Sequence, residues 1–137
     1  MTKKKKIVIV FSALALILAI LLVILVLLGV GVKAGKDGII VDAPFFDATV
    51  ATEDIRTIEL YKNTNYGEKT GGASFLGVNT GKYTNAEFGT YVACLHKSNK
   101  TCIAVLKRDG FYTVFNLENE EKTVKLYNEL LNLYGLN

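Results

Sequence analysis

Three sets of residues in this 137-residue chain could do chemistry. The first is the stretch 77–84, GVNTGKYT, which has the look of a phosphate loop. Such a loop needs G-x-x-x-x-G-K-[ST], so that backbone N–H groups wrap a phosphate and a hydroxyl reaches Mg²⁺. Counting back from Gly81-Lys82 puts Leu76 where the first glycine belongs, and Tyr83 stands where Ser or Thr is required. No helical pattern follows Lys82 to supply N-terminal N–H groups. A nucleotide is not expected here. Asn79 and Gly81 read instead as a bend between strands, since both tolerate left-handed backbone. The second set is Asp42, Asp47, Glu53 and Asp54 with the single histidine, His96. Paired carboxylates can move protons, but acidic loop side chains are more often simply solvated, and His96 lies beside a loop. The third set is Cys94 and Cys102. C-x₇-C with one histidine in the chain is no zinc set. Ser74 and Ser98 lack a G-x-S-x-G context. No catalytic, cofactor-binding or metal constellation assembles, so the chain is expected not to be an enzyme and to carry no cofactor.

The elements around these residues begin with an apolar run, 7–32, whose only polar side chain is Ser12. As a helix its 26 residues would be about 39 Å long. The hydrocarbon core of a bilayer is about 30 Å thick, and a secretory signal has an apolar core of only about 7–15 residues. The run is read as an uncleaved signal-anchor. Lys3, Lys4, Lys5 and Lys6 precede it; Lys33 and Lys36 follow it. This asymmetry puts the N-terminus in the cytoplasm and the remainder outside a cell membrane crossed once. The expected division is a basic tail 1–6, a transmembrane helix 7–32, a linker 33–38 and a soluble domain 39–137. Setting aside those six lysines leaves ten Lys and Arg against thirteen Asp and Glu, a net of −3. A slightly acidic domain lacks the electrostatic footprint of a nucleic-acid binder.

The domain reads as strands over 39–43, 55–62, 72–78, 88–96, 101–107 and 111–117, and one helix over 119–135. Residues 103–106, IAVL, are apolar on both faces and suit a central strand. Arg108-Asp-Gly110 is a hairpin signal. In the helix, Asn119 suits the N-cap, Gly135 the C′ position, and Val124, Tyr127, Leu130, Leu131 and Tyr134 form an apolar stripe. Without long alternation of strand and helix, no parallel sheet is expected. A hairpin centred on Ser98 would set Cys94 opposite Cys102, about 4.5–5.5 Å apart at Cβ, near the reach of a disulfide. The alternative is two reduced core cysteines.

From residue 38 to 134 the chain resembles a bacterial pleckstrin-homology-like (PH-like) domain. The residues that carry the resemblance are Asp54-Ile-Arg-Thr-Ile-Glu-Leu60, Gly71-Gly72, Asn79-Thr-Gly-Lys-Tyr83, Phe88-Gly-Thr-Tyr91, Tyr112-Thr-Val-Phe-Asn116 and the final helix, in that order. The resemblance implies a mainly β (α+β) fold: an antiparallel barrel or sandwich capped by a C-terminal helix. Relatives that grip phosphoinositides use a basic first hairpin. Residues 44–54 hold no Lys or Arg, which argues against phosphoinositide.

The expected function is a non-catalytic, membrane-tethered binding or scaffold protein with a protein or peptide partner, anchored in lipid through 7–32. The alternative is a small membrane enzyme, or enzyme subunit, with an unrecognised site. The candidate partner surface is the edge of strand 72–78, through Gly72, Ala73, Ser74 and Phe75, where glycines and small side chains leave the backbone approachable. Phe45 and Phe46 could add an aromatic anchor, or simply begin a core.

Overall fold

The structure, a computed structural model, describes residues 1–136, and of residues 25–28 the backbone alone. Asn137, the last residue of the expected domain, lies outside the described residues. Helix α1, Lys3–Leu28, opens with four lysines and continues as an apolar run interrupted only by Ser12. It is long and apolar enough to cross a membrane. Every side chain over residues 1–24 is exposed, so nothing among the described residues packs on that part of the helix. The hydroxyl of Ser12 donates to the carbonyl of Ile9 at 2.9 Å, which satisfies the one polar side chain of the apolar run within the helix itself.

The helix ends at Leu28, before the expected residue 32. Strand β1, Gly31–Gly35, uses the end of the apolar run, and pairs antiparallel with β2, Gly38–Ala43. The expected linker is therefore a hairpin, and Val30 is already buried in the domain core. Val and Gly fit a strand as well as a span, so hydropathy alone cannot divide the two. Strand β3, Phe46–Ala51, completes a three-stranded sheet in the order β1-β2-β3.

A second sheet follows a short 3₁₀ turn at Thr52–Asp54. Its strands are β4, Ile55–Tyr61; β5, Glu68–Phe75; β6, Val78–Asn85; β7, Gly89–His96; β8, Cys102–Lys107; and β9, Tyr112–Phe115. Their spatial order is β4-β8-β9-β7-β6-β5. Neither sheet closes on itself. The protein is mainly β, in two sheets with a helix at each end of the chain.

Two expectations fail here for one reason. Strands β7 and β8 are not a hairpin, because β9 lies between them: antiparallel to β8 and parallel to β7. Cys94 consequently stands beside Phe115 and Thr80, while Cys102 stands beside Tyr61. The two thiols belong to different apolar clusters and are free. A disulfide between Cys94 and Cys102 does not form, and the sheet does contain a parallel pair.

The crossover from β7 to β8 is held by a buried polar knot. The side-chain amide of Asn116, fully buried just after β9, lies 3.0 Å from the carbonyl of Asn99 and 3.2 Å from those of His96 and Thr101. Its oxygen accepts from the backbone N–H of His96 at 2.7 Å. Asn99 donates to Leu117 O and to the hydroxyl of Thr123, the buried threonine of the last helix.

One core cluster joins the small sheet to one face of the large one: Ile39, Val41 and Val50 pack with Ile58, Ile103 and Phe115. Helix α2, Glu120–Tyr134, closes it through fully buried Leu130. Its caps are as the sequence suggests. The Asn119 side chain accepts from Lys122 N, and Gly135 is left-handed. Tyr134 donates to the carbonyl of Gly35, fastening the helix end to β1. The opposite face of the large sheet carries an aromatic cluster of Tyr66, Tyr83, Phe88 and Tyr91, flanked by Tyr61 and Tyr112.

Candidate functional site

Strand β5 is the last strand of its sheet, with β6 on one side and, among the described residues, no strand on the other. All of its residues are exposed except half-buried Ala73 and Phe75. The expected bend at Asn79–Gly81 is absent, since β6 runs straight through it. The chain turns instead at Leu76-Gly77, both at positive φ (48° and 84°). Two such residues between paired Phe75 and Val78 make the tight hairpin turn that matches strand twist. The closing pair of that turn is hydrogen-bonded, and bonded pairs alternate along the ladder. Phe75, Ala73 and Gly71 therefore bond inward to β6, whereas Gly72 and Ser74 turn their N–H and C=O groups to the free edge. Gly72 faces Gly81 so closely that a Cβ at Gly72 would lie 2.0 Å from Thr80 O. Glycine is required there, and the same closeness leaves the outer edge bare of side chain.

The structure brings two of the expected aromatic residues together at this edge. Phe45, in the turn between β2 and β3, is 77% exposed and left-handed at φ 63°. Its ring meets that of Phe75 edge-on at 5.5 Å. Leu76 beside them is 58% exposed. Holding two large apolar residues at positive φ and in solvent is costly in backbone terms. Phe46 is not part of this patch; it packs, half-buried, on the core.

A cleft of about 330 Å³ is lined by side chains of β5 and its surroundings. Lys69 and Ser74 come from β5, Asn79 from β6, Tyr66 from the β4–β5 connection, and Lys97 and Lys100 from the β7–β8 crossover. Sequence reasoning missed this grouping. Its only signal, lysines at both ends of the 97–100 loop, looks like ordinary loop solvation. Two of the three ammonium groups are held in place. Lys69 donates to the hydroxyl of Ser74 at 2.8 Å, and Ser74 donates to the Asn79 side-chain oxygen. The Lys100 ammonium lies 5.3 Å from the centre of the Tyr66 ring. That ring is itself fixed, its hydroxyl donating to Asn99 O at 2.6 Å and receiving from Asn116. Burial holds the Tyr66 and Tyr91 hydroxyls above the usual tyrosine range, so both stay neutral donors. No carboxylate lines the cleft, and among the described residues none of the three lysines has an ion pair.

The remaining candidate chemistry stays dispersed. Asp42 and Asp47 stand opposite each other across β2 and β3, while Glu53 and Asp54 lie in the 3₁₀ turn. His96 is half-buried at the end of β7, and its Nε2 accepts from Val30 N at 3.4 Å. Among the described residues no three of His, Cys, Asp and Glu converge as metal ligands do. Comparison of the chain with protein-family models, with curated proteins and with solved structures finds no match.

Proposed function

We propose that the chain is a membrane-tethered, non-catalytic binding protein that captures an extended protein segment by adding it as a strand to β5. The observation that carries this reading is the unpartnered edge of β5, with the outward backbone groups of Gly72 and Ser74. Other edges are less open. β1 is only five residues long and follows α1 after two residues, β3 carries a charged side chain, Asp47, opposite Asp42 of β2, and β4 packs against α2. Strand addition uses backbone groups and needs little side-chain chemistry, in keeping with the dispersed acids and lone histidine. The Phe45–Phe75–Leu76 patch supplies an apolar anchor at one end. Two β-sheets, one antiparallel and one mixed, with a terminal helix closing the core between them support a PH-like reading of the domain.

The anchor serves the same purpose. Two residues separate α1 from β1, so the domain is held close to the bilayer and meets partners confined to that surface. The lysine asymmetry supports an outward-facing domain in a cell membrane. The test uses the full chain in nonionic micelles and a displayed library of extended heptapeptides. Selected binders should be retained by Ser74→Ala and lost by Ser74→Pro, which removes an outward N–H that an edge strand can spare. Binding that survives Ser74→Pro in a folded variant contradicts strand addition at β5. Turnover of any binder would contradict the non-catalytic reading.

A further inference from the structure

We propose that the Lys69–Lys97–Lys100 cleft receives carboxylates from the strand added to β5, so that the partner is an extended acidic peptide. The inference rests on the strand-addition reading above. Edge and cleft share residues: Lys69 and Ser74 belong to β5 and also line the cleft. A strand laid against β5 must place every second side chain on the face of the sheet that holds the cleft. Three ammonium groups await it there.

These lysines differ from a solvated charge run in three ways. Lys69 comes from a strand far in sequence from the crossover that carries Lys97 and Lys100, and all three converge on one concavity. Two of them are braced, Lys69 by the Ser74–Asn79 relay and Lys100 by the Tyr66 ring. None has a counter-charge among the described residues, although the chain beyond the anchor is net negative apart from Lys33 and Lys36. Braced, unpaired cations in a recess are electrostatically complementary to anionic side chains. Lysine meets a carboxylate as a point charge with rotatable donors, so it does not demand one fixed geometry. The cleft lies at the small end of ligand sites, which suits one or two Glu or Asp side chains. The peptide recognised would have acidic residues at alternate positions and an apolar residue for the Phe45–Phe75–Leu76 patch.

The experiment measures anisotropy of dye-labelled Ac-Ser-Glu-Val-Glu-Val-Glu-Ser-NH₂ and its Gln counterpart with the full chain in nonionic micelles. The Glu peptide should bind at least ten-fold more tightly than the Gln peptide at low salt. The variant K69Q/K97Q/K100Q should bring the Glu peptide down to the Gln peptide's affinity and leave the latter unchanged. The control K33Q/K36Q should alter neither. A single reversal, K97E, keeps the test valid if the triple variant loses its circular dichroism spectrum; it should weaken the Glu peptide alone. If K69Q/K97Q/K100Q keeps the preference for Glu, the cleft assignment is wrong while strand addition stands. If Ser74→Pro leaves the Glu peptide bound, strand addition has failed even where the lysines matter. Absence of binding by either peptide overturns the proposal.

Discussion

Replacing Asn116 should unlock the crossover that keeps β7 and β8 apart. Its amide has two hydrogens shared among Tyr66 Oη and the carbonyls of His96, Asn99 and Thr101, and its oxygen is bonded to His96 N–H. Asn116→Ala leaves the His96 N–H and at least one carbonyl without a partner in a site of 0% exposure. Each buried orphan costs about 1–3 kcal/mol, so the expected loss is about 3–5 kcal/mol. Asn116→Asp is the sharper test. It sets an anionic oxygen where the amide nitrogen faced four acceptors. It should destabilise more than Ala at pH 7, and the excess should shrink on acidification as the new carboxyl takes a proton and becomes a donor. Urea unfolding of the full chain in nonionic micelles, followed by tyrosine near-ultraviolet circular dichroism, measures both. A loss below about 1 kcal/mol for Ala, or equal losses for Ala and Asp at neutral pH, would refute the knot as the element that fixes this topology.

Gly71→Ala should change stability by less than about 0.5 kcal/mol, because nothing lies within 4 Å of its added Cβ, whereas Gly72→Ala should cost several-fold more; thermal melts of the two variants decide it. His96 is held below its ordinary value of 6.5 by burial, with Glu118 opposing the shift. The unfolded chain therefore binds a proton before the folded one. Stability should be flat above about pH 6.5 and fall below it, a decline that His96→Gln removes in urea titrations at stepped pH. Burial, with Asp47 nearby, pushes the Cys94 thiol up to about 12, and burial also raises Cys102. Both should resist maleimide in the folded protein and label fully after unfolding without reductant; labelling of neither would reveal the disulfide that the strand order forbids.

Signals confined to neighbouring residues were legible in the sequence. The caps of α2, the Asp109-Gly110 turn and the double-sided burial of β8 each follow from a few adjacent side chains. Placement set by distant residues was not. Lys97-Ser-Asn-Lys100 reads identically as a hairpin loop or as a crossover, and the choice is made by Asn116 and Thr123, which meet Asn99 only in the folded chain. The junction of span and domain was hidden because Val30 and Val32 serve a membrane helix and a buried strand equally well. Within the candidate site, the exposure of Gly72 and Ser74 was readable from the small side chains of 72–74. The turn at Leu76-Gly77 was not, since large apolar residues rarely take positive φ. The lysine cleft was invisible for the same reason as the crossover, its lysines coming from β5 and from a loop nearly thirty residues later.

Strand addition, as proposed, requires that the outer edge of β5 be open in the free protein and covered in the complex. Residue-resolved amide hydrogen exchange of the full chain in micelles, with and without the Glu-containing peptide, reads both states at the edge itself. Gly72 and Ser74 should exchange fast in the free protein and slow by at least ten-fold when the peptide is bound, while Ala73, already bonded to β6, should change little. Protection of Gly72 and Ser74 in the free protein, or bound peptide with no slowing at either amide, would contradict it.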